Sequence, residues 1–143
     1  EMLRSLVGSE MCIRDSDKIL LESFEHMGEG RTVYESLVNK FEYIQMEQLF
    51  FRAAFKNDQQ NCLRDHDFEL IQEFYTKQIE SRTGRKISTE LQFELEMYCL
   101  GSVYMTVQWV LGYRKSTPEE LAHALTESMP VRLREVFQKL GLI

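Results

Sequence analysis

The residues with the clearest chemical potential are the histidines and the carboxylates near them. The chain has three histidines, at His26, His66 and His123. Glu120 and His123 form a Glu-x-x-His pair, the spacing with which helix bundles hold a di-iron centre. Such a centre needs the motif twice and two further glutamates, whereas this copy stands alone in the first turns of a predicted helix. The pair is interpreted as part of a solvated helix face, and neither a metal nor a cofactor is predicted.

Motifs for nucleophilic catalysis and phosphate binding are missing from the sequence. It contains no Gly-x-Ser-x-Gly, no His-Glu-x-x-His, no P-loop and no dinucleotide-binding glycine pattern. His66 lies between Asp65 and Asp67 and is interpreted as a surface or polar-core histidine rather than as a general base. The protein is therefore predicted not to be an enzyme.

Large aromatic side chains are the more informative feature. Aromatic stripes at helical spacing usually fill a core, but an apolar cavity with a few polar groups is also how small-molecule sites are built. Both interpretations stay open at the level of the sequence. No buried lysine or arginine is evident among these residues, which favours a neutral or cationic lipophilic ligand. The predicted effector-binding residues are Phe51, Phe55, Phe68, Tyr75, Tyr98, Met105 and Trp109, with Cys99 and Gln108 as optional polar groups.

The elements that position these side chains are all predicted to be helices. Apolar residues recur at helical spacing, strand-like alternation is not found, and the chain has only two prolines. Five to seven helices are expected, so the fold class is all-α. The predicted segments are Asp17–Met27, a helix capped by Thr32 with Val33, Leu37, Phe41 and Ile44 inward, an aromatic segment with Leu49, Phe50, Ala53 and Phe55 on its apolar side, Asn61–Thr83, Thr89–Leu111 and Pro118–Leu140.

Two apolar stripes run along the predicted helix Thr89–Leu111. A helix that is apolar on two faces is buried from two sides. One stripe can face the core of its own chain, and the other needs a further helix or a second subunit. The first stripe contains Leu91, Leu95, Tyr98, Ser102, Met105 and Trp109, and the second contains Phe93, Leu100, Tyr104, Val107 and Leu111.

The stretch WVLGYRKSTPEELAHALTESMP, residues 109–130, predicts a tight joint between two helices. Gly112 can cap the first helix in a left-handed conformation, and Arg114 and Lys115 follow where the helix dipole favours positive charge. Thr117 and Glu120 have the spacing of a capping box. Pro130 should bend or split the helix that follows, because proline lacks a backbone donor and clashes with the preceding turn.

Composition bounds the class of protein. With 143 residues the chain is long enough for one domain. Its net charge of −6 makes it a poor phosphate binder, since affinity for nucleic acids depends on Lys and Arg. No apolar run approaches the roughly 20 residues that span a bilayer, so no membrane contact is predicted. Cys12, Cys62 and Cys99 show no paired spacing and are interpreted as reduced thiols, which predicts a cytoplasmic protein.

The first sixteen residues, EMLRSLVGSEMCIRDS, do not fit the rest of the chain. Their apolar residues keep no steady period, and they lack the basic leader and long apolar core of a signal peptide. The stretch is similar to peptide translated from sequencing adapter. Residues 1–16 are therefore predicted to be non-native or disordered, and residues 17–143 to form one domain whose native N-terminus is missing.

Taken in order, several features resemble the C-terminal half of TetR/AcrR-family transcriptional regulators. They are Gly101 inside a helix, Trp109 one turn before Gly112, the segment KSTPEELA, and a hydrophobic residue before Pro130. The upstream stretch FEYIQMEQLFFRAAFKNDQQNCLRDH also resembles that domain. The resemblance covers about residues 17–143.

The resemblance implies an effector-binding and dimerisation domain. In that family the last two long helices pack with those of a second copy as a four-helix bundle, and a separate N-terminal helix-turn-helix domain reads DNA. The expected partners are thus a second copy and a small lipophilic effector, with DNA bound only through the missing N-terminal domain. A helical adaptor without a cavity, or a metal-binding bundle enzyme, are the alternatives. The predicted interface residues are Tyr104, Val107, Leu111, Leu121, Leu125 and Met129.

Overall fold

A computed structural model of the protein describes residues 16–58 and 62–143. Residues 1–15 and 59–61 lie outside the described residues. With them lie most of the segment predicted to be non-native and the predicted helix start at Asn61. All regular secondary structure in the described ranges is helical, which confirms the all-α prediction. The helices are α1 at residues 16–28, α2 Val33–Met46, α3 Gln48–Lys56, α4 Cys62–Thr83, α5 Thr89–Val110, α6 Pro118–Glu127 and α7 Val131–Lys139.

Local signals set the ends of these helices as predicted. Thr117 forms the expected capping box with Glu120, each backbone N–H donating to the other residue's side chain at 3.1 Å. Ser88 caps α5 by accepting from the backbone N–H of Leu91 at 3.2 Å. Gly112 follows α5 with a φ of 85°, a left-handed conformation that side chains disfavour and glycine adopts freely. The residues that flank α5, Ser88 and Gly112, therefore determine where this helix begins and ends.

The core lies both between helices that are distant in sequence and between consecutive helices. α2 packs against α6, α4 packs against α5, and both α3 and α7 also contact α5. On α2 the predicted face is confirmed, since Val33, Leu37, Phe41 and Ile44 are all buried. Among the described residues, no helix combines the length and apolarity that a bilayer crossing requires.

Proline divides the last predicted helix into two. α6 ends at Glu127, and Pro130 caps α7 from outside with φ −57° and ψ 149°, an extended conformation that cannot continue a helix. The split allows α7 to turn so that Leu133 and Phe137 are buried. The prediction of a split was correct. Of the two long C-terminal helices that the resemblance implied, the one at Thr89–Leu111 is present as α5 with 22 residues. The one that starts at Pro118 is divided into α6 with 10 residues and α7 with 9.

The apolar face predicted for α3 was correct at Phe55 and wrong at Leu49 and Ala53. Leu49 is 85% exposed and Ala53 is exposed, while Phe51 and Phe55 are buried. Apolar residues occur on all sides of this short helix, so its sequence does not single out one inward face. Tertiary packing selects the two phenylalanines that lie one turn apart.

A buried ion pair crosses the core between α2 and α4. The Nζ of Lys40 lies 2.9 Å from the Oδ1 of Asp67, and the two side chains are only 4% and 1% exposed. The ammonium also lies 4.3 Å from the centre of the Phe24 ring of α1, a distance suited to a cation–π contact. Lys40 is therefore a buried lysine, on a helix outside the set of residues predicted to bind the effector.

Candidate functional site

The structure groups the predicted effector-binding aromatics into ring pairs. Phe51 stacks on Phe55 with 6.3 Å between ring centres, and Tyr75 contacts Tyr98 at 6.0 Å. All four are buried, whereas Phe68, Met105 and Trp109 are partly buried, as is Gln108. The Tyr75 ring also packs against Phe137 of α7 at 5.6 Å. Phe137 was missed because its partner Tyr75 is far away in the sequence, so their contact leaves no local pattern.

The polar groups on this part of α5 already have partners. The Tyr98 hydroxyl donates to the backbone carbonyl of Leu125 on α6 at 2.7 Å. Ser102 and Thr106 each donate to the carbonyl one turn before them, also at 2.7 Å. The Tyr98 hydroxyl therefore joins α5 to α6, whereas the other two bond within α5. All three are less available to a ligand than the sequence suggested.

Burial also keeps the nearby ionisable groups neutral. Desolvation raises the pKa of the Tyr75 hydroxyl well above its ordinary value, and it does the same to the pKa of Tyr98. The pKa of the Cys99 thiol is raised to about 12, first by burial. Cys99 is fully buried, so it fills core space as a neutral thiol and does not serve as an exposed nucleophile.

A cleft of about 740 Å³ lies between α5, the α5–α6 loop and α6. Apolar residues of both helices form its wall, and Tyr98 and Met105 are the members of the predicted effector set that line it. At the loop end it is lined by Arg114, Lys115 and Ser116. The sequence reasoning treated the two basic residues only as partners of the helix dipole and so did not assign them to a site. The apolar wall includes Met97, Met105, Leu121 and Leu125.

The other side of the same loop borders a smaller cleft of about 240 Å³. Trp109 lines it, and its indole N–H donates to the carbonyl of Ser116 at 2.8 Å. Arg52 of α3 donates through Nε to the carbonyl of Val110 at 3.2 Å. These two bonds hold the backbone at Val110 and at Ser116, on either side of Arg114 and Lys115, which line both clefts.

Most of the predicted interface residues are buried inside the chain itself. Val107, Leu121, Leu125 and Met129 lie in its own core, Leu111 is partly buried, and Tyr104 is exposed. These buried side chains already contact α5 or its neighbours within one copy. Tyr104 is therefore the one residue of this set that is exposed.

An exposed apolar surface does run along α5, on the side away from the core. We refer to it as the α5 stripe. Its members are spaced by four, three and four residues, which places them on one face of the helix. Each is between 57% and 63% exposed. The stripe consists of Phe93, Met97, Leu100 and Tyr104.

Comparison with known protein families assigns this region. Residues 31–130 match the transcriptional regulator C-terminal region, a TetR C-terminal family. No curated protein and no solved structure matches the chain. The matched residues run from just before α2 to the end of the α6–α7 turn and include the α5 stripe and every residue that lines the larger cleft. Because the match covers well over half of the sequence, the chain belongs to the TetR family of transcriptional regulators, of which it contains the C-terminal region.

Proposed function

We propose that this domain senses a small effector and dimerises for a bacterial transcriptional regulator, without enzymatic activity of its own. We assign operator recognition to a separate helix-turn-helix domain. Since a regulator of this kind acts on DNA, we propose that the protein is located in the bacterial cytoplasm. The observation that carries the proposal is the α5 stripe. It leaves one helix apolar on the core side and on the outer side, in a chain that belongs to a regulator family.

Exposed apolar side chains in register along a helix favour association with another helix. Burying one leucine or phenylalanine side chain contributes about 1.5–3 kcal/mol, and in a symmetric dimer each residue of the interface counts twice. A second copy is therefore the occupant that we propose for the α5 stripe.

Gly101 supports close approach of a second helix to α5. It lies in the middle of the helix and is exposed, and a Cβ added there would meet nothing within 4 Å. Glycine inside a helix costs about 0.5–1 kcal/mol relative to alanine. The fold of one copy gives no reason for this cost, whereas the backbone of a neighbouring helix can come closer at a residue without a side chain.

We propose that the effector binds in the larger cleft rather than among the buried aromatics. A volume of about 740 Å³ falls within the range of about 300–1,000 Å³ that is typical of small-molecule sites. A ligand between Phe51 and Phe55, or between Tyr75 and Tyr98, would first have to separate rings that are in contact. The cleft is open without such a change, and it keeps Tyr98 and Met105 of the predicted set.

Sedimentation of two charge variants tests the dimer. The wild type, with a chain mass of 17.0 kDa, should sediment at twice that mass at micromolar concentration. Leu100→Glu should weaken association by about 100-fold or more, since two buried leucines are lost per dimer and a charge is buried in place of each.

Leu49→Glu provides the matched control. Leu49 is even more exposed than Leu100 but lies on α3, outside the α5 stripe, so this variant should remain dimeric. A monomeric wild type would contradict the proposal. So would a Leu49→Glu variant that dissociates as readily as Leu100→Glu.

A further inference from the structure

We infer that the effector is an anionic amphiphile, an organic acid with an extended apolar body. The inference rests on the proposed function, because it takes the cleft between α5 and α6 as the effector site. It reverses the expectation of a neutral or cationic ligand, because the predicted effector-binding residues include no lysine or arginine, whereas Arg114 and Lys115 line the cleft.

The cleft has an apolar part and a basic part, and they lie at different places along it. Met97 and Met105 on α5 face Leu121 and Leu125 on α6 across the apolar part. Methionine side chains adapt to the shape of a ligand because they are unbranched and polarisable. The basic part is confined to the loop end. A ligand that satisfies both has an apolar body and one polar end.

The charge at the loop end is positive although the chain as a whole is negative. Arg114 and Lys115 are the basic residues of the lining, and Glu120 is its acidic residue, which leaves a net charge of +1 in a chain of −6. Glu120 also accepts the backbone N–H of Thr117 in the capping box, so part of its hydrogen-bonding capacity is already used.

The two basic side chains are available to a ligand. Both are exposed, and no ion pair joins either of them to a carboxylate in residues 16–58 or 62–143. The loop that carries them is held by the bonds of Trp109 and Arg52 described above. A guanidinium and an ammonium on an anchored loop form strong charge-assisted hydrogen bonds with a carboxylate or a sulfonate.

Three probes of equal chain length and different charge test the inference: octanoate, octyltrimethylammonium and 1-octanol. Binding is measured by calorimetric titration and by the thermal shift of the full chain. Octanoate should bind at least about tenfold more tightly than either of the other probes, a factor that corresponds to 1.4 kcal/mol. Its affinity should fall with added salt, because salt screens the exposed charges.

A double variant with an internal control locates the charge effect. Arg114→Gln with Lys115→Gln should weaken octanoate by about tenfold and leave 1-octanol unchanged. Arg85→Gln with Lys86→Gln removes the same two charges at the opposite end of α5, where both residues are exposed and neither lines the cleft. This control should bind all three probes as the wild type does. Equal loss of octanoate in both double variants would overturn the inference, because net charge alone would then explain the binding.

Filling the cleft separates failure of the inference from failure of the proposed site. Ala124 is exposed and lines the cleft, so Ala124→Trp should block the probes without disturbing the core, with the helical circular dichroism retained as the check of folding. If 1-octanol or octyltrimethylammonium binds as tightly as octanoate and Ala124→Trp blocks it, the anionic class is wrong while the site stands. If no probe binds, or if Ala124→Trp leaves binding intact, the placement of the effector is wrong as well.

Discussion

Tyr98 shows how one side chain can serve both the core and the edge of the cleft. Its ring packs on Tyr75, its hydroxyl donates to Leu125 on α6, and it is among the residues that line the cleft. Burial raises the pKa of both tyrosine hydroxyl groups. The folded state therefore holds the hydroxyl group neutral at a pH where an unfolded chain would ionise it.

Alkaline unfolding should report this burial. The ordinary tyrosine pKa is 10.0 and the folded value of Tyr98 is higher, so the stability from the neutral hydroxyl is complete below pH 10 and is lost as the pH rises further. Tyr98→Phe should cost about 1 kcal/mol at neutral pH, the usual value of one hydrogen bond. Above pH 10 the variant should lose stability less steeply than the wild type. Urea unfolding across this pH range measures both effects.

Tyr104→Phe is the control for that measurement. Tyr104 is exposed on the outer side of the same helix, so its replacement should change neither the neutral stability of the single chain nor the alkaline slope. If Tyr98→Phe keeps the full wild-type slope, the hydroxyl of Tyr98 is not buried as described.

At the scale of the elements, the Lys40–Asp67 pair joins three helices. The pair itself links α2 to α4, and the Phe24 ring brings α1 onto the same ammonium. Removing two charges from water is costly, and their attraction offsets that cost only while both partners remain. The position of α1 therefore depends on a charge balance in the core as well as on apolar burial.

A double-mutant cycle should expose that balance. Lys40→Met should destabilise the domain by about 3–5 kcal/mol, because it leaves the Asp67 carboxylate buried and unpaired. Adding Asp67→Leu should recover most of the loss, since the site then becomes apolar. Urea unfolding of the single and double variants gives the coupling energy.

The exposed pair on α4 gives the reference for this cycle. Lys77 and Glu73 lie 2.8 Å apart, but their side chains are 73% and 57% exposed. Lys77→Met should change the free energy of unfolding by less than about 0.5 kcal/mol. An equal effect of Lys77→Met and Lys40→Met would show that burial does not set the strength of the core pair.

The distance along the sequence between interacting residues explains what could be predicted from the sequence. The capping box of Thr117 and the break at Pro130 depend on residues a few positions apart, so local chemistry determines them. The partner of Lys40 is 27 residues away, and a lysine between Leu37 and Phe41 has no local feature that marks it as buried. In the candidate site, Tyr98 and Met105 follow from helical spacing. The presence of Arg114 and Lys115 in the lining of the cleft depends on the path of the loop, which the sequence pattern does not determine.

At the scale of the whole molecule, the proposed dimer surface and the effector cleft share an edge. Met97 and Tyr104 belong to the α5 stripe and also line the cleft. A second copy on the stripe would therefore cover part of the cleft opening and add to its wall. Occupancy of the cleft and association of two copies should then favour each other.

Reciprocity makes this coupling measurable. If octanoate tightens the dimer by a given factor, dimerisation must tighten octanoate binding by the same factor. We expect the dimer dissociation constant from sedimentation to fall when octanoate is saturating, and we expect octanoate to bind more weakly when the protein is diluted to single chains. Octanoate affinity that is independent of protein concentration would contradict a shared edge.

The shared edge has a consequence for how such a domain would respond in a cell. Its sensitivity would depend on its own abundance, because scarce protein would be mostly single chains with an incomplete binding wall. Rising expression would lower the effector concentration needed for a response. Met97 and Tyr104 on α5 would thus link the amount of the regulator to the effector concentration at which it responds.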